Sequence, residues 1–202
     1  MSERLFLSKR PLLGSLWPED QPFAWVIFFA ILFYLVYAFF QLFAPSVAFF
    51  EDKISLLYLP AFVRVLAVIV AGLAGAIGIF LGHLLVYAVY KSDPWTFALG
   101  ASAVNALAPL CALIVTRMLF QARHLISLGW RSILTVSLLA ALFAGIFKNI
   151  FWAVSEFHGI ASFSHMAANF VGNFLGILVG FLLFKWAQSA LPFRVELKRK
   201  VL

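Results

Sequence analysis

Apolar residues in this chain run on for longer than a soluble helix requires. No charged residue interrupts the stretch from Pro22 to Ala44. Comparable stretches run from about Ile54 to Ala71, Gly72 to Tyr90, Pro94 to Leu119, Ser132 to Val154 and His165 to Gln188. A hydrocarbon slab about 30 Å thick, crossed at about 1.5 Å per residue, needs about 20 apolar residues. Six spans are therefore predicted, and the fold class is all-α, a polytopic integral membrane helical bundle. The chain divides into an N-terminal segment 1–21, a bundle 22–188 and a basic tail 189–202. The first span exceeds the roughly 7–15 apolar residues of a signal peptide and lacks a following small-residue cleavage site, so it reads as an anchor. In the preceding segment Leu5, Phe6, Leu7, Leu12, Leu13, Leu16 and Trp17 form an apolar side suited to a membrane surface. Pro11 and Gly14 oppose one continuous helix there.

Composition sharpens this picture. Hydrophobic residues make up 64% of the chain and charged ones 11%, against about 45–50% and about 25% in soluble domains. So few charges cannot cover a water-soluble sphere, which excludes a soluble enzyme. The single Cys111 excludes an internal disulfide and any multi-cysteine metal site. The net charge of +7 is unevenly placed. With six spans, the tails and even-numbered loops share one side and hold Arg4, Lys9, Arg10, Arg117, Arg123, Arg131, Arg194, Lys198, Arg199 and Lys200. The other side holds Lys53 and Lys91. This asymmetry predicts that both termini are cytoplasmic. The tail cluster from Arg194 to Lys200 then sets topology and touches anionic lipid rather than nucleic acid.

Polar residues within the spans are the candidates for function, because they are costly in hydrocarbon and turn toward a cavity or a partner helix. They are Arg64, His83, Asn105, Lys148, Asn149, Asn169 and Asn173, with His165 at the outer edge. His165, Asn169 and Asn173 share one helical stripe. The group is read either as an outward-facing pocket or as interhelical hydrogen bonding, with Lys148 snorkelling to the headgroups. Arg64 falls near mid-depth, and no Asp or Glu lies in any predicted span. Its partners must be a loop carboxylate, carbonyl oxygens, amides, water or an anion. Pro60, four residues earlier, suggests a broken second helix lining a wet cavity. Arg64 is expected to face a polar interior between the second, fifth and sixth spans, within reach of Asn169 or Asn173. The rival is a span recentred near Val70 with Arg64 at the interface. His83 alone reads as a hydrogen-bonded bundle residue.

Glycines mark close approach. Gly172, Gly176 and Gly180 recur at intervals of four, and Gly75, Gly78 and Gly82 repeat the device more loosely. They point to tight packing within one bundle, or to self-association or docking of another subunit. His158, His165 and Glu156 match no compact metal-ligand spacing, so no metal is assigned. No nucleophile–base pair, paired carboxylate or phosphate loop appears, so no catalytic residue is assigned. Phe28, Phe29, Phe33, Tyr34, Tyr37, Phe39 and Phe40 nearly encircle the first span. They leave lipid, pigment, quinone and protein open as neighbours, and the cofactor unassigned.

One ordered set of motifs goes further. Leu59-Pro60-Ala61 opens a span, and Gly78-Ile79-Phe80-Leu81-Gly82 lies in the next. Trp95-Thr96-Phe97-Ala98-Leu99-Gly100, Asn105-Ala106-Leu107-Ala108-Pro109 and Thr116-Arg117-Met118-Leu119 follow, then Asn169-Phe170-Val171-Gly172-Asn173-Phe174-Leu175-Gly176. From about Leu59 to Gly180 the chain resembles the integral membrane sensor domain at the N-terminus of bacterial histidine kinases and diguanylate cyclases. That family usually has about eight spans and feeds a cytoplasmic output domain, whereas six spans and no output module are read here. The resemblance therefore implies a non-enzymatic sensor-like or accessory subunit acting through protein partners in the membrane. The alternative is a vitamin-type small-molecule binding subunit of a membrane transporter, also about 200 residues with six spans. Its small-residue docking pattern is replaced here by Ala24-Trp25-Val26-Ile27-Phe28. Partners are then the lipid bilayer and other membrane subunits or a second copy.

Overall fold

The computed structural model describes residues 21–43, 49–50, 54–91, 93–120, 130–155 and 162–190. Its elements, in chain order, are α1 (Pro22–Phe43), β1 (Phe49–Phe50), β2 (Ile54–Ser55), α2 (Pro60–Tyr90), α3 (Trp95–Phe120), α4 (Trp130–Val154) and α5 (Phe163–Ala190). All five helices are long and apolar enough to cross a membrane. Their outer faces agree: Phe23, Leu42 and Trp186 are each at least two-thirds exposed, an arrangement at home in lipid rather than water. β1 and β2 form a two-residue antiparallel ladder in which Phe49 pairs with Ser55 and Phe50 with Ile54. The surface segment up to Asp20, the basic tail from Leu191, Glu51–Lys53, Arg123, Glu156 and His158 lie outside the described residues.

The second and third predicted spans appear as one element, α2, so five apolar helices stand where six were expected. The reason is local. Gly72 has φ 54° and ψ −123°, a conformation that an L-side chain adopts only under strain. A straight helix would hold Ala67 and Gly75 about 12 Å apart along its axis. Instead a Cβ at Gly75 would overlap the carbonyl of Ala67. The chain therefore turns back on itself at Gly72, leaving two arms, 60–71 and 73–90. The sequence boundary drawn between Ala71 and Gly72 coincides with this turn.

Pro60 occupies the start of the helix rather than its interior, where its absent N–H costs nothing. The expected break in a second helix is thus a late start: 54–59 is non-helical and the helix begins at Pro60. Ala61 N–H donates to Tyr58 O and Phe62 N–H to Leu59 O, both at 3.0 Å, which supplies two donors of the first turn. The first arm is the centre of the bundle. Pro60, Ala61, Val63, Arg64, Val65, Ala67, Val68 and Ala71 are all buried.

Glycines let backbones close around this centre. Gly78 and Gly82 receive α1: a Cβ on either would come within 2.7 Å of a carbonyl oxygen, Val26 O or Ala30 O. Val26 lies by Gly78, Ala30 by Gly82, and Tyr34 and Tyr37 by Tyr90. Residue numbers rise together, so α1 and the second arm of α2 run parallel. On α5, Gly176 leaves room for the Tyr58 carbonyl and Gly180 for the Phe62 ring, while Tyr58 N–H donates to Gly172 O at 3.0 Å. The α5 glycine face is thus filled from within the chain. Helices α3, α4 and α5 pack in antiparallel succession, with Phe151 over Gly100 and Met166 beside Gly145.

Gly72→Ala gives a direct check on the turn. In a helix interior, glycine to alanine stabilises by about 0.8–1 kcal/mol. At Gly72 the sign is expected to reverse, with a loss of about 1–3 kcal/mol from backbone strain, read as a lower melting temperature in detergent. A Gly72→Ala protein that melts higher than the parent would mean that α2 is straight.

Candidate functional site

Three asparagines solve the same local problem in the same way. Each carboxamide N–H donates to the carbonyl one turn back: Asn105 to Ala101 O at 2.8 Å, Asn169 to His165 O at 3.0 Å and Asn173 to Asn169 O at 2.6 Å. Back-bonding of this kind ties a polar side chain to its own helix. It also turns the amide oxygen away from the helix, toward whatever cation lies opposite.

Arg64 lies opposite two of them. Its two terminal nitrogens donate to Asn105 Oδ1 and Asn173 Oδ1, and its guanidinium lies over the Tyr58 ring at 5.2 Å. Asn105 and Asn173 each stand ten residues from the start of their helices. That is about 15 Å of rise, half of a bilayer core. A charge there costs about 2.5–3.5 kcal/mol on insertion scales. Hydrogen bonds to a charged group return about 1.5–3 kcal/mol each, so two of them and a shielded ring contact match that cost. Arg64 keeps one buried donor, Nε, without a hydrogen-bond partner among the described residues.

The second proton of the Asn105 amide extends the network, because Nδ2 lies 3.2 Å from His83 Nε2. An amide nitrogen only donates, so Nε2 accepts and the neutral ring carries its proton on Nδ1. Nδ1–H then donates to Ser102 Oγ at 3.1 Å. On the other flank, Lys148 Nζ donates to Asn169 Oδ1 at 3.4 Å and lies 5.3 Å from the Trp152 ring centre. The result is a continuous buried path, Ser102–His83–Asn105–Arg64–Asn173, joined through the α5 backbone to Asn169 and Lys148. It links both arms of α2 with α3, α4 and α5.

The residues singled out by sequence are therefore only partly brought together. Arg64, Asn105 and Asn173 meet directly, and Lys148 meets Asn169. Among the described residues Arg64 takes hydrogen-bond and ring partners from the second, fourth and sixth spans, with Asn105 of the fourth standing where a group on the fifth was expected. His165 joins through its carbonyl, while its ring stands edge-on to Trp152 at 6.4 Å. Asn149 stays apart, its Oδ1 buried and unbonded among the described residues. Lys148 is held on Asn169. Tyr58 and Ser102 escaped the sequence reading, although a tyrosine just ahead of Pro60 marks where a cation on the next turn can stack. Among the described residues no cluster of three His, Cys, Asp or Glu could hold a metal.

No family model matches this chain, and neither a curated protein nor a solved structure matches it.

Arg64→Leu is expected to lower stability by more than a typical core change, because the oxygens of Asn105 and Asn173 lose their donor at about 1–3 kcal/mol each. Arg64→Lys should recover little, since one ammonium on a shorter stem cannot reach both amides as a planar fork does. Thermal unfolding in detergent measures both. An Arg64→Leu protein as stable as the parent would place Arg64 outside the network.

Proposed function

We propose that this protein is a non-enzymatic, sensor-like or accessory module of a bacterial cytoplasmic membrane, acting through protein partners within the bilayer. The observation that carries the reading is the network itself. Its polar groups brace four helices against one another around the short first arm of α2. Such a cross-braced centre has discrete hydrogen-bonding arrangements. Release of either amide by Arg64 would move several helices together, which is what a module that passes a signal or docks a subunit requires. The resemblance of residues 59–180 to the membrane sensor domain of histidine kinases and diguanylate cyclases points the same way.

Six traverses with both termini cytoplasmic belong to the same proposal. Helix α1 and the second arm of α2 run parallel, so the chain between them must return across the slab. The stretch from 54 to 71 makes that return, and its helical part, 60–71 at about 1.5 Å per residue, alone rises about 18 Å. The ten-to-two distribution of basic residues fits six crossings and is spoiled by five. The second functional reading, a small-molecule binding subunit of a transporter, is favoured by the ladder His165–Asn169–Asn173, which descends from one end of α5 with Lys148 beside it.

Two measurements test the proposal. Reporter fusions at Leu202 and after Asp93 are expected to report the cytoplasm and the outside, respectively; a C-terminal fusion active only outside contradicts six crossings. Co-purification of the tagged chain from its native membrane is expected to retain a membrane protein in fixed ratio through size exclusion. A chain that instead elutes alone with a stoichiometric small molecule, identified by mass spectrometry, would favour the transporter reading.

A further inference from the structure

The geometry points to a binding site for a small anion, a carboxylate or a phosphate, between Lys148 of α4 and Arg64 of α2, with Asn169 and Asn173 of α5 as its floor. Two cations are gathered inside an apolar bundle. Among the described residues the one acidic side chain is Asp93, in the loop between α2 and α3. A counter-charge that occupies the remaining donors stabilises buried cations further, and among the described residues these two have amides and aromatic rings alone.

Spacing supports a bridging anion. Lys148 and Arg64 are held by Asn169 and Asn173, one turn apart on α5, and such positions have Cβ atoms about 5–6 Å apart. An anion with two oxygens can accept a charged N–H bond of about 2.8 Å from each of two cations held against one helix face in this way. Donors remain to hold it. Arg64 Nε is buried and unbonded among the described residues. Lys148 has three N–H groups and one long bond of 3.4 Å. The Asn169 amide nitrogen makes one bond, to His165 O, out of two available. Lys148 is only part-buried and six residues from the end of α4, about 9 Å of rise. An anion therefore meets Lys148 first, approaching from the end of the bundle where Trp152 and His165 lie, and Arg64 one turn deeper. The inference goes beyond the module's proposed role and stands on this geometry whether or not a protein partner exists.

The anionic group has two possible sources, a soluble acid or the phosphate of a lipid headgroup. The test melts the intact chain, purified in neutral detergent, in succinate, inorganic phosphate and chloride at matched ionic strength, and in mixed micelles with phosphatidylglycerol. A ligand that binds only the folded state raises the melting temperature in a saturable way. A rise of several degrees with succinate or phosphate, absent with chloride, supports the site with a soluble source. A rise with phosphatidylglycerol alone supports it with a headgroup source. Lys148→Met should remove the rise and Lys148→Arg preserve it, each variant first shown monodisperse. No rise beyond chloride, or a full rise in Lys148→Met, overturns the inference. So does an anion response that appears only in Glu156→Gln, because the chain's own Glu156 would then be the counter-charge.

Discussion

A guanidinium at mid-depth in an apolar bundle cannot be relieved by losing its proton; it has to be solvated by the protein. In this chain that requirement fixes much else. Arg64 is solvated by Asn105 from α3 and Asn173 from α5, so both helices must approach the first arm of α2 at one level. Each asparagine is fixed in turn by a bond to its own helix, and Asn105 orients His83 toward Ser102. One buried charge thereby sets the depth and rotation of three elements. Dispersion contacts among Val65, Val68, Leu113, Val136 and Ile177 fill the space beside it without specifying register in the same way, since apolar packing is tolerant of small slides.

The arrangement also depends on backbone that only glycine permits. For Arg64 to reach α3 and α5 together, its arm must be short and central, and the chain must reverse at Gly72 in a conformation closed to other residues without strain. The non-helical stretch ahead of Pro60 then lies against α5, where Gly172 supplies a carbonyl and Gly176 supplies room. Backbone groups of a non-helical segment are admissible inside a bundle where protein satisfies them, as the α5 carbonyl of Gly172 does for Tyr58 N–H. The glycines that might have served a second copy on α5 are consumed by this internal contact.

Much of this was legible in the sequence, for identifiable reasons. Uninterrupted apolar runs fix the class through the thickness of the bilayer. The interval of four in Gly172, Gly176 and Gly180 announces a backbone approach, and the boundary at Gly72 falls where the chain turns. A charge without an acidic partner in any span announces that Arg64 needs a loop carboxylate, carbonyls, amides, water or an anion, and Asn173 is among the groups named for it. What stayed hidden depends on tertiary register. Nothing local distinguishes Asn105 from Asn169 as the second partner of Arg64, because that choice rests on how α3 is rotated against α2. The merger of two spans into one helical element reflects a turn with no intervening loop, which periodicity does not register. Pro60 as a helix start rather than a break depends on Tyr58 finding a carbonyl on α5, a contact over a hundred residues away in sequence.

The central claim is that Arg64 and Asn173 act as one unit, and a double-mutant cycle on thermal or denaturant unfolding tests it most directly. Arg64→Leu, Asn173→Leu and the double variant would be compared with the parent in the same detergent. The account predicts strong non-additivity: the double variant loses clearly less than the sum of the singles, with a coupling within the roughly 0.5–3 kcal/mol seen for residues sharing one network, because removing both partners leaves neither polar group stranded. Additive losses would contradict it, since two residues that lose stability independently do not share the interaction on which the bundle is built.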